Sequence, residues 1–406
     1  MSGSIHGIAL TAAVSGEGEL FRFERDGRCA AACARRNGEV EFSILYDFRG
    51  EPLRLRGAAA DGEALCVRVL PQRVELWLGG RLQDEEWPCG RHFLEGARQA
   101  GPVRCAVTPY TAEEAPQPAV LGEFEGAEGW QPEENVFVGD CMPYADGGRY
   151  HVLYLKDRHH HHSKWGLGEH QWAHISTEDF RRWQIHPMAV TIDAPEEGSI
   201  CTGSWIRRGD KQFLFFTIRS CDGSPARIGR SLSEDGWHFR RDEAFAMYLS
   251  ERYNGASARD PKVIRDARGT YHMFLTTSLL AEGRGCLAHL TSPDADVWRE
   301  EDEPIYIAPG RNEPECCDYF ELNGWYYLVF SLRGQGRYLY SREPFDGWRE
   351  PADPVIPCKS VPKAAVWNGR IIFAGFDGRG QYAGTMTFLE TFQGANGELI
   401  YGLRKP

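Results

Sequence analysis

The chain of 406 residues is poor in several things that would fix its class at once. No apolar run reaches the length a transmembrane helix needs, so no membrane partner is expected. No long helical periodicity appears. Basic charge is scarce: the net charge is −12, against nucleic acid or an anionic surface as the main partner. The opening Met1-Ser2-Gly3-Ser4-Ile5-His6-Gly7 has neither the charged start nor the apolar core of a secretory leader. Without such a leader, the twelve cysteines, Cys316-Cys317 among them, suit a reducing cytoplasm better than a disulfide framework. Their spacings make no zinc site, the run His159 to His162 is assigned to a loop, and no metal or organic cofactor is expected.

Aromatic residues are abundant, with 12 Trp, 16 Tyr and 21 Phe, and they recur in a pattern. Five times a small turn is followed by an aromatic or aliphatic strand: Tyr150-His151-Val152-Leu153-Tyr154, Phe213-Leu214-Phe215-Phe216, Tyr271-His272-Met273-Phe274-Leu275, Tyr326-Tyr327-Leu328-Val329-Phe330 and Ile371-Ile372-Phe373. A Ser/Thr-Asp/Glu turn and a closing Trp follow, at Trp183, Trp237, Trp298 and Trp348. A repeat of roughly 50–60 residues built from short strands predicts a propeller, here five-bladed. Residues 1–110 alternate differently. Val67-Arg68-Val69, Val74-Glu75-Leu76-Trp77-Leu78 and Phe42-Ser43-Ile44-Leu45-Tyr46 predict an antiparallel β-sandwich, loosely similar to concanavalin-like accessory domains. The Glu-, Pro- and Gly-rich stretch 111–134 is expected to be a linker, and 135–406 the propeller. The fold class is therefore all-β, with one short helical turn expected at Thr177-Glu178-Asp179-Phe180.

Three copies of the repeat are preceded, about ten residues upstream, by a carboxylate: Asp140 in Val136-Phe137-Val138-Gly139-Asp140, Asp260 in Ala258-Arg259-Asp260-Pro261-Lys262-Val263, and Glu315 in Glu313-Pro314-Glu315-Cys316-Cys317-Asp318. Equivalent placement puts each on the innermost strand of its blade, so that the three converge. An isolated carboxylate beside a strand more often caps a turn; three in register point to acid/base chemistry. Glu313 and Asp318 are the substitutes if the register at Glu315 is off.

These segments resemble glycoside hydrolase family 32, the fructosidases and invertases, over roughly residues 135–380. Arg259-Asp260-Pro261 is similar to the family's Arg-Asp-Pro motif. Glu315-Cys316-Cys317-Asp318 is similar to Glu-Cys-Pro-Asp, with Cys317 in the Pro place. Gln171-Trp172-Ala173-His174 resembles the family's Trp-Gly-His-Ala run, and Ser199-Ile200-Cys201-Thr202-Gly203-Ser204 its Phe-Ser-Gly-Ser segment. The resemblance implies Asp140 as nucleophile, Asp260 as transition-state stabiliser and Glu315 as general acid/base, with Arg259, Trp172 and Thr202 around the sugar. Two departures stand out. Of the family's first motif, Trp-Met-Asn-Asp-Pro-Asn-Gly, only Asp140 is kept, and the Asn beside it is Gly139. The Gln expected on the first strand falls near Leu155-Lys156-Asp157, so Lys156 and Asp157 are expected to supply a different set of contacts. The sandwich also precedes the propeller, where the family's normally follows it.

Retaining glycosidases need two carboxyls about 5–5.5 Å apart, one to attack the anomeric carbon and one to give and then take a proton. Glu315 is expected to be kept protonated by like-charge neighbours, and Asp140 to be kept ionised by Arg259 if it reaches. The function expected is a cytoplasmic retaining hydrolase or transglycosidase for a β-fructofuranoside or related furanoside, with a carbohydrate as its partner and room for a homo-oligomer. Two alternatives stay open: an inverting arabinofuranosidase/xylosidase on the same carboxylate plan, and a noncatalytic carbohydrate-binding propeller. Trp165 is a further stacking candidate. His170 and His174 are expected to serve the fold, and Cys316 to be a packing residue.

Overall fold

The computed structural model describes residues 4–113, 117–133, 135–158, 160 and 170–402. Among them there is no helix, and hence none long and apolar enough to cross a membrane. They form two compact units that divide at residues 116/117, with 192–199 grouped with the first.

The first unit is a pair of five-stranded antiparallel sheets. One runs Ala106–Glu113, Ser4–Ala13, Ala64–Leu70, Arg73–Leu78, Arg81–Glu86; the other runs Leu53–Ala58, Glu39–Ile44, Arg28–Arg36, Gly18–Arg25, Arg98–Ala100. Alternation decides the faces: Leu10, Val67, Val69, Leu76 and Leu78 share one buried core with Phe21, Phe23, Phe42, Ile44 and Leu55. Gly79 and Gly80 both have positive φ between the paired residues Leu78 and Arg81, the two-residue hairpin that a Gly-Gly pair favours.

The second unit holds five antiparallel sheets, one per repeat. The five repeated aromatic or aliphatic segments are the second strands: Arg149–Arg158, Lys211–Ser220, Tyr271–Leu279, Trp325–Leu332 and Arg370–Asp377. The innermost strands are Val136–Asp146, Glu197–Arg208, Arg259–Arg265, Glu315–Leu322 and Lys363–Trp367. Three of the four closing Trp residues pack against rings of the adjacent blade. Trp183 of blade 1 lies 5.4 Å from Phe388 of blade 5, Trp237 of blade 2 lies 4.3 Å from His186 of blade 1, and Trp298 of blade 3 lies 5.9 Å from Phe215 of blade 2. Their Ser/Thr-Asp turns replace the helical turn expected at 177–180. Thr177 Oγ1 accepts from the amides of Asp179 and Phe180, and Asp179 Oδ1 from those of Arg181 and Arg182, so side chains satisfy the donors a helix would use. The stretch read as a linker is also corrected: Thr111 to Glu113 extend a sandwich strand, and Gly122–Glu125 adds to blade 1 as its outermost strand, pairing with Arg182–Val190.

A buried histidine stack ties blade 1 to blade 2. His151 Nδ1 and Tyr144 Oη both lie at His174 Nε2, at 3.0 and 3.3 Å, and His186 Nε2 meets Ser176 Oγ at 2.8 Å. Burial pushes all three histidines down, His151 to about 3 and His186 to about 4; burial does the same to His289 in blade 3, again to about 4. These groups are neutral in the fold but titrate near 6.5 when unfolded. The stability they hold is complete above 6.5 and is lost progressively as pH falls from there toward their folded values. Urea unfolding at pH 7.5 and pH 5 should therefore show a lower midpoint at pH 5, by up to about 2 kcal/mol for each such histidine. Equal midpoints would contradict the buried neutral stack.

Candidate active site

The three carboxylates do meet, but not at equivalent positions. The inner strands of blades 1, 3 and 4 each carry a β-bulge, opposite Lys156 and Tyr154 in blade 1, Thr276 and Phe274 in blade 3, and Ser331 and Val329 in blade 4. Relative to it, Glu315 is the last residue before the bulge, Asp260 its first residue and Asp140 its second. The stagger re-aims three side chains from three strands toward one place, a regular use of bulges beside functional sites. Asp260 and Cys316, both first in their bulges, have φ of 58° and 52°.

Cys316 joins the groups. Its amide donates to Asp260 Oδ2 at 2.9 Å, and its thiol lies 3.3 Å from Asp140 Oδ2. Burial first, then Asp140 and Asp260, push the thiol well up, so it stays protonated as a weak donor. Expected as packing, it contacts two of the three carboxylates. Thr202 Oγ1 also donates to Asp140 Oδ2, at 2.6 Å, and Tyr382 Oη donates to Oδ1 at 3.2 Å. Asp140 thus owes its hydrogen bonds to blades 2, 4 and 5 rather than to Arg259.

Arg259 is committed elsewhere. Its guanidinium reaches Glu313 Oε2 at 2.5 Å, Glu315 Oε1 at 2.9 Å and Asp260 Oδ2 at 3.6 Å. Burial opposes its charge, but these three acids more than offset that and raise its pKa. Glu315 was expected to sit among like charges; the structure sets a cation against it, which favours its ionised form. Burial pushes the Asp260 carboxyl up against the pull of Arg259 and Lys363. Glu313, held also by Ser257 Oγ at 2.7 Å, anchors Arg259. Asp318 is structural: it pairs with Lys262 at 2.5 Å and accepts from the amide of Ala364 at 2.7 Å.

Three expected sugar contacts turn out to be supports. Trp172 is fully buried, bonded to the carbonyl of Cys201 at 3.0 Å and set edge-on to Phe216, under Gly203, where any Cβ would meet the carbonyl of Phe215. Asp157 is fully buried and receives His170 Nε2 at 2.6 Å. Thr202, only 1% exposed, spends its hydroxyl on Asp140. Lys156 stands at the blade 1 bulge, 3.7 Å from Glu133. His174 serves the fold, as expected. Trp165 and the run His159 to His162, apart from His160, lie outside the described residues, and among those described no cluster of three or more His, Cys, Asp or Glu is placed to hold a metal. The reading of the sequence missed Lys363 and Tyr382. Lys363 donates to the carbonyl of Gly203 at 3.1 Å and stands ahead of the fifth repeated strand, so the repeat itself pointed to it. Tyr382 lies in a loop after that strand, with no motif to mark it.

Residues 129–345 match the N-terminal domain of glycosyl hydrolases family 32. The chain belongs to this family. It is 24% identical over 207 residues to a sucrose-6-phosphate hydrolase of Vibrio alginolyticus, a match covering 48% of this chain and 40% of the relative, so the chain spans under half of that protein's length. Among solved structures it resembles fructan 1-exohydrolase IIa from Cichorium intybus, with TM-score 0.56, 14% identity and 69% of this chain and 60% of that one covered. It also resembles a family 43 β-xylosidase/α-arabinofuranosidase from a compost microbial metagenome, with TM-score 0.53, 15% identity and 69% and 98% covered. These two structural likenesses speak for the propeller fold. The family match stops short of blade 5, which supplies Lys363 and Tyr382.

The buried pair Lys262–Asp318 offers a test of the division between support and chemistry. Asp318→Asn keeps the shape and strands a buried lysine charge, so it should cost about 3 kcal/mol or more of stability, read as a lower melting temperature. An unchanged melting temperature would free Asp318 for a role at the site.

Proposed function

We propose that this member of family 32 is a retaining glycoside hydrolase or transglycosidase acting on a β-fructofuranoside, with Asp140 as nucleophile, Glu315 as general acid/base and Asp260 as stabiliser of the charged sugar ring. The observation that carries the proposal is the convergence of these three carboxylates, from three staggered bulges, around Cys316 and Arg259. A carboxylate of Asp140 attacks the anomeric carbon as its bond to the leaving oxygen breaks, and Glu315 gives that oxygen its proton. Water then attacks the same carbon, Glu315 takes the water's proton, and Asp140 leaves as carboxylate. Asp260, pinned through the Cys316 amide, sits where it can gain strength as positive charge develops on the ring.

Arg259 favours ionised Glu315, yet the first step needs it protonated. The crowding of acids supports that proton. Among the described residues, the carboxyls of Asp140, Asp260, Glu313 and Glu315 gather around Arg259 and Lys363, and acids held this close disfavour ionising all of them at once. Glu315 keeps 32% of its side chain exposed, so a bound sugar removes water from it and raises its proton affinity further. A cytoplasmic setting goes with this proposal, in line with twelve cysteines that are all free thiols.

Proton NMR of the protein with sucrose, sucrose 6-phosphate, inulin, levan oligosaccharides and arabinofuranosides tests the proposal. Turnover with retained anomeric configuration, abolished in Asp140→Asn, is expected. Inversion would favour the xylosidase-like mechanism, and sugar binding without turnover a noncatalytic propeller. Glu315→Gln should slow substrates with poor leaving groups most; an equal loss for all leaving groups would move the acid role to another residue.

A further inference from the structure

Gly139 raises a question that the three carboxylates do not answer. It stands where the family motif has a polar neighbour to the nucleophile, and no side chain fits there. A Cβ would lie 2.9 Å from Tyr382 Oη and 3.0 Å from both the Cβ and the carbonyl oxygen of Leu155. The space beside Asp140 is filled from blade 5.

Tyr382 is fixed from several sides. The amide of Gly384 and the amide of Val138 exchange hydrogen bonds with each other's carbonyls, at 2.9 and 2.8 Å, which clamps the loop to the blade 1 inner strand. His160 Nδ1 meets the Tyr382 carbonyl at 2.8 Å, giving one member of the histidine run a place. The His170 ring stacks on the Tyr382 ring, 5.2 Å between centroids and 20° from parallel, and is itself held by Asp157. The hydroxyl then donates to Asp140 Oδ1. With Thr202 and Cys316 both on Oδ2, Oδ1 carries, among the described residues, the longer bond from Tyr382 and keeps a lone pair for reaction.

We infer that Tyr382 is a positioning residue for Asp140: its hydroxyl takes the place that Gly139 leaves empty, holds Oδ1 and aims the carboxylate at the anomeric carbon. The buried pair Asp157–His170 is its buttress. This rests on Asp140 being the nucleophile.

The ionisable groups that face Asp140 are Tyr382 from blade 5, Cys316 from blade 4, Asp260 from blade 3 and Cys141 on its own strand, with Lys363 reaching it by way of Asp260 and Asp157 by way of Tyr382. Tyr382 is held neutral by burial first, then by Asp140 and Asp157, so it remains a donor throughout the working pH range. Removing a donor to the ionised form raises the carboxyl's pKa.

Tyr382→Phe keeps the ring and its stacking, and a thermal melt checks that it folds. Carbon NMR of aspartate carboxyls, with the Asp140 signal assigned by Asp140→Asn, reads the effect without turnover. The Asp140 titration should move up by about one pH unit. With sucrose and sucrose 6-phosphate, kcat/KM should fall about tenfold and its acid limb should move up with the titration. An unmoved Asp140 titration in folded Tyr382→Phe would overturn the inference. Full activity in Asp140→Asn, or no wild-type turnover of either sugar, would count against the proposed reaction and not against the hydrogen bond.

Discussion

The inner strand of a propeller blade is paired on one side only, and the need to satisfy its other edge organises this protein. Backbone groups buried at that edge must find partners without a neighbouring strand. In blades 3, 4 and 5 they find them in polar side chains of the preceding blade. Ser204 of blade 2 donates to the carbonyl of Pro261 and accepts from the amide of Val263, both in blade 3. Asp260 of blade 3 accepts from the amide of Cys316 in blade 4, and Asp318 of blade 4 from that of Ala364 in blade 5. Between blades 5 and 1, Gly384 and Val138 exchange amide bonds. Blades 1 and 2 are joined through side chains, by Thr202 on Asp140. The candidate site lies in this ring of ties, and two of its three carboxylates, Asp140 and Asp260, are members of it.

That overlap explains why the bulges matter. A regular strand would point every second residue at the axis and give three carboxylates at one level, each with the same surroundings. The bulges shift them by one residue from blade to blade, so each acid meets different partners: hydroxyls and a thiol for Asp140, a backbone amide and two cations for Asp260, a guanidinium and solvent for Glu315. The left-handed backbone at Asp260 and Cys316 costs roughly 1–2 kcal/mol at each. Both are held there by hydrogen bonds: Thr217 Oγ1 takes the Asp260 amide, and Asp260 takes that of Cys316. Strain that the surroundings hold in place is a common mark of a functional site.

Much of this was legible in the sequence because it repeats. Five aromatic strands at one spacing gave the blade count, and Asp140, Asp260 and Glu315 stood out by lying ahead of three of them. What stayed hidden depends on contacts between blades. Trp172 looks the same in sequence whether it faces a sugar or Phe216, and Gly203, which makes room for its ring, is silent about direction. Asp157 and Lys156 are adjacent, yet strand alternation sends them to opposite faces, and Asp157 is paired by a histidine thirteen residues on. Tyr382 sits in a Gly-rich loop and acquires meaning only through Gly139, some 240 positions away. Gly139 itself read as a missing contact because a sequence shows the side chain that is absent, not the one that fills its space.

The charge arrangement follows from the same geometry. Arg259 precedes the bulge residue Asp260 and so occupies, in blade 3, the level that Glu315 occupies in blade 4. One guanidinium is thereby shared among Asp260, Glu313 and Glu315. Sharing matters more than proximity. In the proposed reaction, a cation divided among three acids leaves Glu315 without a dedicated partner of its own in Arg259, as a group that must both give and take a proton requires. Glu313, buried deeper than Glu315 and tied to Ser257, draws Arg259 inward, away from the more exposed acid. Asp140 lies outside this competition. Its donors are neutral, so in the proposed reaction they orient it without a counter-ion that an approaching positive ring would have to displace.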